Sequence, residues 1–291
     1  MENWDEIRTA YFVAREGTVS RAAEYLGIHH ATVIRHIDSL EARINTKLFQ
    51  RHARGYTPTE AGKELLRVAQ GAHDRFTQLD AFIRGRSDAV EGELIITSLV
   101  GLAPRLMPHL RAFQAEHPGV TLRHLAGKRL FRLEYGEAHV AVRAAQAAPE
   151  EPDNVVQQLC VVQTALYAAK DYIDAQGMPR EDDGFSGHRF VAEADESSRA
   201  PYAQWMREEL GDDQVVFRSD EAQVQQAAVL SGIGLGFMSL EAAGQYPGLV
   251  QVAPPRAEWD SRLWLVTHMD LHRSAKVQAI TKFLKARMGD C

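Results

Sequence analysis

The stretch from residue 20 to residue 41, SRAAEYLGIHHATVIRHIDSLE, limits the fold of this chain more than any other. Ser20 has the side chain of a helix N-cap, and Gly27 supplies the left-handed backbone that ends a short helix. A second helix is predicted from about His30, because apolar residues then recur at intervals of four, three and four. These residues form one buried stripe and are Val33, Ile37, Leu40 and Ile44. The pattern predicts two helices joined by a tight turn.

The opposite face of the second helix carries polar and cationic side chains. A helix buried on one side and polar on the other fits a DNA major groove, although a solvated helix in an ordinary bundle gives the same pattern. We predict DNA contacts from this face and from the start of the preceding helix. The predicted contacts are Ser20, Arg21, His29, His30, Thr32, Arg35 and His36.

The residues on either side of this stretch favour DNA binding over the solvated bundle. A first helix is predicted over residues 3–15, and Gly17 ends it. Between Glu41 and Glu60 the chain has four Lys or Arg residues and no acidic residue. Gly55 and Pro58 mark turns there, which predicts a β-hairpin wing. We predict that two cations of the wing contact DNA phosphates, Arg51 and Arg54.

Residues 3–62 resemble the winged helix-turn-helix of the LysR-type transcriptional regulators. The matching segments are NWDEIRTAYFVAREGTVSRAAEYLG, TVIRHIDSLEARINTKLFQR and GYTPTEAG. Thr32 and Arg35 fall where that family reads or grips DNA. The chain departs from the family at residues 29–31, where His-His-Ala replaces a Ser-Gln-Pro type tripeptide. The histidine pair could also suggest a metal site, but no second cluster at ligand spacing accompanies it, so no metal is predicted.

A long linker helix is predicted over residues 59–87, with Thr59 as its N-cap. Its apolar residues recur at intervals of four and three, as in a coiled-coil seam. The seam consists of Leu65, Ala69, Ala72, Phe76, Leu79 and Ile83. A second copy of the chain would supply the partner helix, and packing onto the chain's own core is the alternative. The resemblance favours the dimer, and two-fold symmetry then predicts a near-palindromic operator.

From Gly92 onwards short strands alternate with helices, which predicts open, mostly parallel sheets covered by helices. The predicted fold class is therefore α/β overall, with an all-α winged head at 1–58, the linker helix at 59–87 and a hinge at 88–91. Residues 92–291 resemble the LysR-type effector domain, which has the two-lobed fold of periplasmic binding proteins. We place lobe I at 92–163 and 268–291, and lobe II at 164–267.

A ligand site is predicted in the cleft between these lobes. In open α/β sheets ligands bind beyond the carboxyl ends of strands, where helix N-termini attract anions such as carboxylates. The predicted effector contacts are Ser98, Leu99, Val100, Thr164, Ser219 and Phe237. Plain helix capping is the alternative for Ser98 and Ser219, and core or hinge packing for Thr164 and Phe237.

Composition and motifs limit the remaining functions. Residues 1–87 carry a net charge of +2 and the rest carries −8, which fits a protein that touches DNA at one end. No signal peptide, membrane-length apolar run or catalytic motif is found, and two distant cysteines fit a reducing cytoplasm, with Cys160 buried and inert. We expect a cytoplasmic bacterial regulator without a cofactor, which binds an effector, pairs as a dimer and as a dimer of dimers, and contacts RNA polymerase, as the resemblance implies. An enzyme with a winged-helix head and a nucleoid-type DNA binder are the alternatives.

Overall fold

The computed structural model describes residues 3–52, 55–83 and 90–289, and the chain divides into two units. Unit 1 is Met1–Val90 with Leu130–His139 and His268–Val277; unit 2 is Glu91–Arg129, Val140–Thr267 and Gln278–Cys291. The mixed helix and strand content confirms the predicted α/β class. The predicted hinge at 88–91 lies mostly outside the described residues.

The first three helices of unit 1 are α1 (Trp4–Glu16), α2 (Val19–Leu26) and α3 (His30–Ile44). Gly17 and Gly27 end α1 and α2 with φ of 73° and 65°, as predicted. The N-cap of α2 is Thr18 rather than Ser20, since the Thr18 hydroxyl accepts from the Arg21 N–H at 3.4 Å. Val19 is buried and already helical, so the helix starts one residue before Ser20 and leaves that side chain exposed.

One apolar core joins these helices. Tyr11, Val33 and Ile37 are almost completely buried at its centre. Ile7 and Leu26 pack at its edge, which confirms the interior expected from the helical spacing. This core fixes the orientation of α3, so the polar face of α3 points away from it.

A β-hairpin follows α3 and is tied to it by Glu41. The hairpin consists of β1 (Phe49–His52) and β2 (Gly55–Pro58), which pair antiparallel. The buried Glu41 carboxylate accepts from the backbone N–H groups of Leu48 at 2.9 Å and Phe49 at 3.2 Å. It also accepts from Lys47 at 2.7 Å and Arg51 at 3.1 Å. Burial alone would raise the pKa of Glu41, but these donors outweigh it and lower that pKa.

The linker helix is α4 (Glu60–Ile83), and the Thr59 hydroxyl caps it by accepting from the Gly62 N–H at 3.2 Å, as predicted. Leu65 and Ala69 pack into the core of the head. Ala69 is buried there and Leu65 is partly buried, so the packing alternative applies to the first part of the seam, and its role in a dimer stays a prediction. The period of the stripe was right, but the chain's own core covers its beginning.

The rest of the seam is open. Phe76 and Leu79 are 53% and 49% exposed, and Val68 beside them is 50% exposed. Ala72 lies between them and is partly buried, and the side chain of Ile83 lies outside the described residues. The Phe76 ring also lies 5.1 Å from the ring of Trp4, so α1 supports the open apolar strip at one point.

Lobe I of unit 2 is a five-stranded sheet in the order β4-β3-β5-β12-β6. Its strands are β3 (Gly92–Ser98), β4 (Val120–Ala126), β5 (Val140–Ala145), β6 (Asn154–Val162) and β12 (Ser261–His268). Its helices are α5 (Ala103–Glu116) and most of α11 (Ala275–Met288), while the short α10 (Met269–His272) and the first residues of α11 belong to unit 1. Strand β3 is parallel to β4 and β5, whereas β12 is antiparallel to β5.

Lobe II has two smaller sheets. The first contains β7 (Thr164–Ala169) between β10 (Gly236–Ser239) and β11 (Leu249–Ala253), and the second pairs β8 (Phe190–Glu193) with β9 (Val215–Ser219). Its helices are α6 (Lys170–Gln176), α7 (Pro201–Glu209), α8 (Ala222–Leu230) and α9 (Leu240–Ala243). The prediction of mostly parallel sheets is wrong for the first sheet, because β7 is antiparallel to both neighbours.

The chain crosses between the lobes twice. The first crossing is at Gln163, between β6 and β7, as predicted. The second lies before Ser261, because β12 hydrogen-bonds to β5 in the lobe I sheet. Lobe II therefore ends near residue 260, and the predicted end at 267 is wrong by a whole strand.

Candidate nucleic-acid interface and ligand cleft

The exposed face of α3 presents side chains that nothing else in the described chain engages. His29, His30 and Arg35 are exposed, and Thr32 is partly exposed. The Nδ1 atom of His29 accepts from the Ala31 N–H at 3.3 Å and so caps the helix. Across the described ranges, no side-chain hydrogen bond or ion pair involves His30, Thr32 or Arg35. Their donors and acceptors are therefore available to a molecule that approaches this face.

The exposed face continues onto the start of α2. Ser20 and Arg21 are both exposed in the first turn of that helix. Neither side chain contacts another described residue through a hydrogen bond or ion pair. Both side chains are therefore available to a molecule that approaches the start of α2.

His36 does not belong to this face. Its Nδ1 atom lies 2.9 Å from the Thr9 hydroxyl, so the imidazole links α3 to α1. Ser39, on the same side of α3, donates to Glu6 at 3.0 Å. The Nδ1 atom of His36 thus serves helix packing in the head, and a DNA contact by His36 stays a prediction.

The wing holds one predicted phosphate contact in a fixed position. The guanidinium of Arg51 donates to Asp38 at 2.5 Å and to Glu41, and it lies 5.3 Å from the centroid of the Tyr56 ring. The hydrogen bond to Asp38 is the main cause of a raised pKa at Arg51, with burial opposing it. Arg54 lies outside the described residues. Phosphate contact by Arg51 and Arg54 stays a prediction.

On the lobe I side of the cleft, Ser98 is the last residue of β3 and is only 4% exposed. Its hydroxyl donates to the Leu99 carbonyl at 3.0 Å and lies 2.9 Å from Nε2 of His124 in β4. Burial lowers the pKa of His124, so the imidazole is neutral near pH 7. Leu99 is 38% exposed, and Val100 opens the 3-10 turn that leads into α5. Ser98 is no helix cap here, since that turn has no side-chain cap.

On the lobe II side, Ser219 ends β9 and its hydroxyl accepts from the Glu221 N–H at 3.2 Å. Helix α8 begins only at Ala222, with Glu221 in the N-cap position, so the helix-capping alternative for Ser219 is wrong. Thr164 is 5% exposed at the first crossing, where its N–H donates to Asp260 at 3.1 Å. Its burial favours the packing alternative over a ligand contact.

Phe237 lies in β10 and is only partly buried. Its ring stacks on Tyr202 of α7, with centroids 5.6 Å apart and an interplanar angle of 29°. Trp259 and Trp205 lie behind it, with centroids 4.9 Å and 5.6 Å from that of Phe237. These four rings form one aromatic cluster in lobe II.

Two family models match the chain, one in its N-terminal part and one in the remainder. The first describes a bacterial regulatory helix-turn-helix protein of the lysR family and matches residues 4–63. The second describes the LysR substrate binding domain and matches residues 87–289, which is well over half of the chain. The chain belongs to the LysR family. It is a transcriptional regulator with a helix-turn-helix DNA-binding domain and an effector-binding domain.

Relatives with assigned names agree with this membership. A transcriptional repressor of Pseudomonas aeruginosa strain UCBPP-PA14 is 26% identical over 242 residues, which is 81% of this chain and 75% of the relative. The regulator CfxR of Cupriavidus necator is 28% identical over 272 residues, which is 90% of this chain and 84% of the relative.

Solved structures share the fold across nearly the whole chain. A full-length OxyR variant from Pseudomonas aeruginosa matches with a TM-score of 0.73 at 17% identity, covering 98% of this chain and 95% of that one. Full-length CbnR bound to its target DNA matches with a TM-score of 0.55 at 16% identity, covering 98% and 99%. At this identity the likeness shows the fold alone.

Two ion pairs of this LysR-family chain connect lobe I to lobe II, and spacing did not predict them. Lys128, just after β4, lies 2.9 Å from Glu193 at the end of β8. Arg105 of α5 pairs with Glu241 of α9. Glu193 is the last residue of β8, and Lys128 follows β4 by two residues.

A cavity of about 250 Å³ lies within lobe II, between α7 and the strands β8 and β9. Glu193, Met206 and Arg218 are among the residues that line it, and none of the predicted effector contacts does. It opens behind the end of β8, so Glu193 has the cavity on one side and Lys128 on another.

Three further findings concern other sequence predictions. Cys160 is buried as predicted, but it is disulfide-bonded, which corrects the expectation of an unpaired thiol; Cys291 lies outside the described residues. Within the described ranges, no group of three or more His, Cys, Asp or Glu residues is arranged to hold a metal ion. No helix in the described part of the chain combines the length and hydropathy needed to cross a membrane.

Proposed function

We propose that this LysR-family protein acts in the bacterial cytoplasm as a dimer that reads a near-palindromic operator through α3. The response would be set by a small molecule in the cleft between lobe I and lobe II. The observation that carries the proposal is the set of unengaged side chains on the exposed face of α3, above all Arg35. A helix with this face fits the major groove, where arginine pairs with guanine edges.

Dimerisation is supported by the open apolar strip on α4. Phe76, Leu79 and Val68 expose about half of their side chains on one helix, which is costly unless a partner covers them. A second copy supplies the same strip by symmetry. The dimer would present two α3 helices to two half-sites, and contacts between effector domains would join dimers and reach RNA polymerase.

Control by a ligand is supported by the way the lobes are joined. Two chain crossings and two ion pairs hold lobe I and lobe II together. A ligand that prefers one arrangement of the lobes shifts the population towards that arrangement, and the head would receive the change through α4.

Replacing Arg35 by alanine is expected to weaken operator binding by at least about tenfold, because one base or phosphate contact per half-site contributes roughly 1–3 kcal/mol. The operator would be located first by footprinting the DNA upstream of the protein's own gene, and binding would be measured by gel shift. Arg111→Ala is the matched control, since Arg111 is an exposed arginine on α5. Equal binding by both variants would remove α3 from the reading role.

Replacing Ser98 by alanine is expected to reduce the effector response severalfold while leaving operator binding intact. The variant removes the contact to His124 that ties the ends of β3 and β4 together. A bulky replacement is unsuitable, because Ser98 is buried and a large side chain would overpack lobe I. An unchanged footprint response in the alanine variant would exclude Ser98 from the cleft site.

A further inference from the structure

The Lys128–Glu193 pair lies where a ligand of this fold would bind. Lys128 follows the carboxyl end of β4, and Glu193 ends β8 in the other lobe. Both strands belong to parallel pairs, and ligands of α/β folds bind beyond such strand ends. The Glu193 side chain is 9% exposed and that of Lys128 is 48% exposed, so the carboxylate is the buried partner and the ammonium reaches in from outside.

The surroundings of the Lys128 ammonium are acidic. Burial alone would lower the pKa of Lys128, but the hydrogen bond to Glu193 and the charges of Glu193, Asp220 and Asp195 raise it. Asp220 follows β9 and Asp195 follows β8, so these carboxylates also stand just beyond strand ends. The carboxylates around Lys128 therefore stabilise a cation at this end of the cleft.

Tyr202 adds an independent feature beside Glu193. Its hydroxyl makes no hydrogen bond to any described residue. Its ring is partly buried and stacks on Phe237. Burial and the nearby charge of Glu193 raise the pKa of Tyr202 to about 12, so the hydroxyl stays protonated and can accept a hydrogen bond from a ligand.

The other polar groups of lobe I near the end of β3 are already engaged or neutral. The Ser98 hydroxyl is already shared between the Leu99 carbonyl and His124. His124 is neutral near pH 7, because burial lowers its pKa. Arg105 of α5 is paired with Glu241 of the other lobe.

We propose that the cleft binds a small organic amine as its ammonium ion, which displaces Lys128 from Glu193 and rests its apolar body on the ring of Tyr202. An ammonium over an aromatic face and against a buried carboxylate is stabilised by both. This reverses the carboxylate expected from helix N-termini. The inference rests on the proposed function only in taking the cleft as the effector site.

Displacement of Lys128 has a mechanical consequence. It opens the Lys128–Glu193 ion pair between the lobes and leaves the Arg105–Glu241 pair in place. In the free protein Lys128 acts as an internal competitor for the ligand, so removing it frees Glu193 for an external amine.

The test compares phenethylamine with 3-phenylpropionate, which have the same body and opposite charge, on the full-length protein. Binding is measured by calorimetry and by the shift in melting temperature. Phenethylamine is expected to bind the wild type saturably. It should bind Lys128→Met about tenfold more tightly and Glu193→Gln at least about tenfold more weakly than the wild type. The acid should bind none of these proteins. Lys170→Met is the control, since it removes a lysine of an exposed ion pair with Asp174 in lobe II.

Three results would each overturn the inference. These are saturable binding of the acid, binding of the amine that Glu193→Gln leaves unchanged, and absence of amine binding in Lys128→Met, where Glu193 has no internal partner. Operator binding measured on the same samples separates this inference from the proposed function. If the protein bound the amine but no operator DNA, only the proposed function would be excluded. If it bound its operator normally but did not bind the amine, only the inference would be excluded.

Discussion

Replacing Leu79 by glutamate is expected to convert the protein from dimers to monomers at micromolar concentration. Leu79 is 49% exposed on the open strip of α4, where two-fold symmetry brings the strips of both copies together. The substitution then places two carboxylates in an apolar seam, and burying unpaired charges there is strongly unfavourable. A monomer binds only one half-site and loses the increase in affinity that comes from binding two linked half-sites. Operator affinity should therefore fall by about a hundredfold or more.

The association state would be measured by light scattering after size exclusion, and operator affinity by gel shift. Met178→Glu is the matched control, because Met178 is an equally exposed methionine in the loop after α6 and the charge change is the same. Circular dichroism would show that the head of Leu79→Glu is still folded. A Leu79→Glu protein that remains dimeric would place the subunit contact elsewhere.

The head was predictable because its helices are specified by local patterns. The helical spacing of Val33 and Ile37 predicts their burial, and Gly27 predicts the end of α2. The structure confirms both, since Val33 and Ile37 are buried and Gly27 is left-handed. The N-cap of α2 was missed by two residues, because Thr18 and Ser20 are equally good caps. The burial of Val19 decides between them, and burial depends on the whole head.

The site residues were less predictable, because polarity and period do not identify a partner. His36 has a side chain suited to DNA contact, but its Nδ1 atom lies within hydrogen-bond distance of the Thr9 hydroxyl of α1. Leu65 fits the apolar spacing of the seam on α4, but its side chain packs against the core of the head and is partly buried there. The same limit explains the misplaced end of lobe II, since β12 pairs with β5, a strand more than a hundred residues earlier.

The cleft shows this limit most clearly. Ser98 was found from its position after a strand, and it does lie at the carboxyl end of β3. Lys128 and Glu193 are separated by 65 residues and belong to different lobes. Only the folded chain brings them within 2.9 Å of each other, so the charge that decides the class of ligand was not visible in the sequence.

Replacing Glu41 by alanine is expected to lower the free energy of unfolding of the head by about 3 kcal/mol. The carboxylate is the acceptor for the buried N–H groups of Leu48 and Phe49, which the variant leaves without partners, and it fixes the wing through Lys47 and Arg51. Asp38→Ala is the control, because Asp38 also contacts Arg51 but is half exposed, and such pairs contribute under about 1 kcal/mol. Calorimetric melting of the head measures both.

The Glu41 carboxylate makes the free energy of unfolding of the head depend on pH. The folded head lowers the pKa of Glu41 below its usual 4.5, so the unfolded chain binds the proton more readily. The stabilisation by the charge is therefore complete above about pH 4.5 and is lost as the pH falls through the lower, folded value. The stability difference between wild type and Glu41→Gln should be constant near neutrality and shrink in acid. A difference that stays constant down to pH 3 or so would mean that the hydrogen-bond geometry of Glu41, and not its charge, holds the wing on α3.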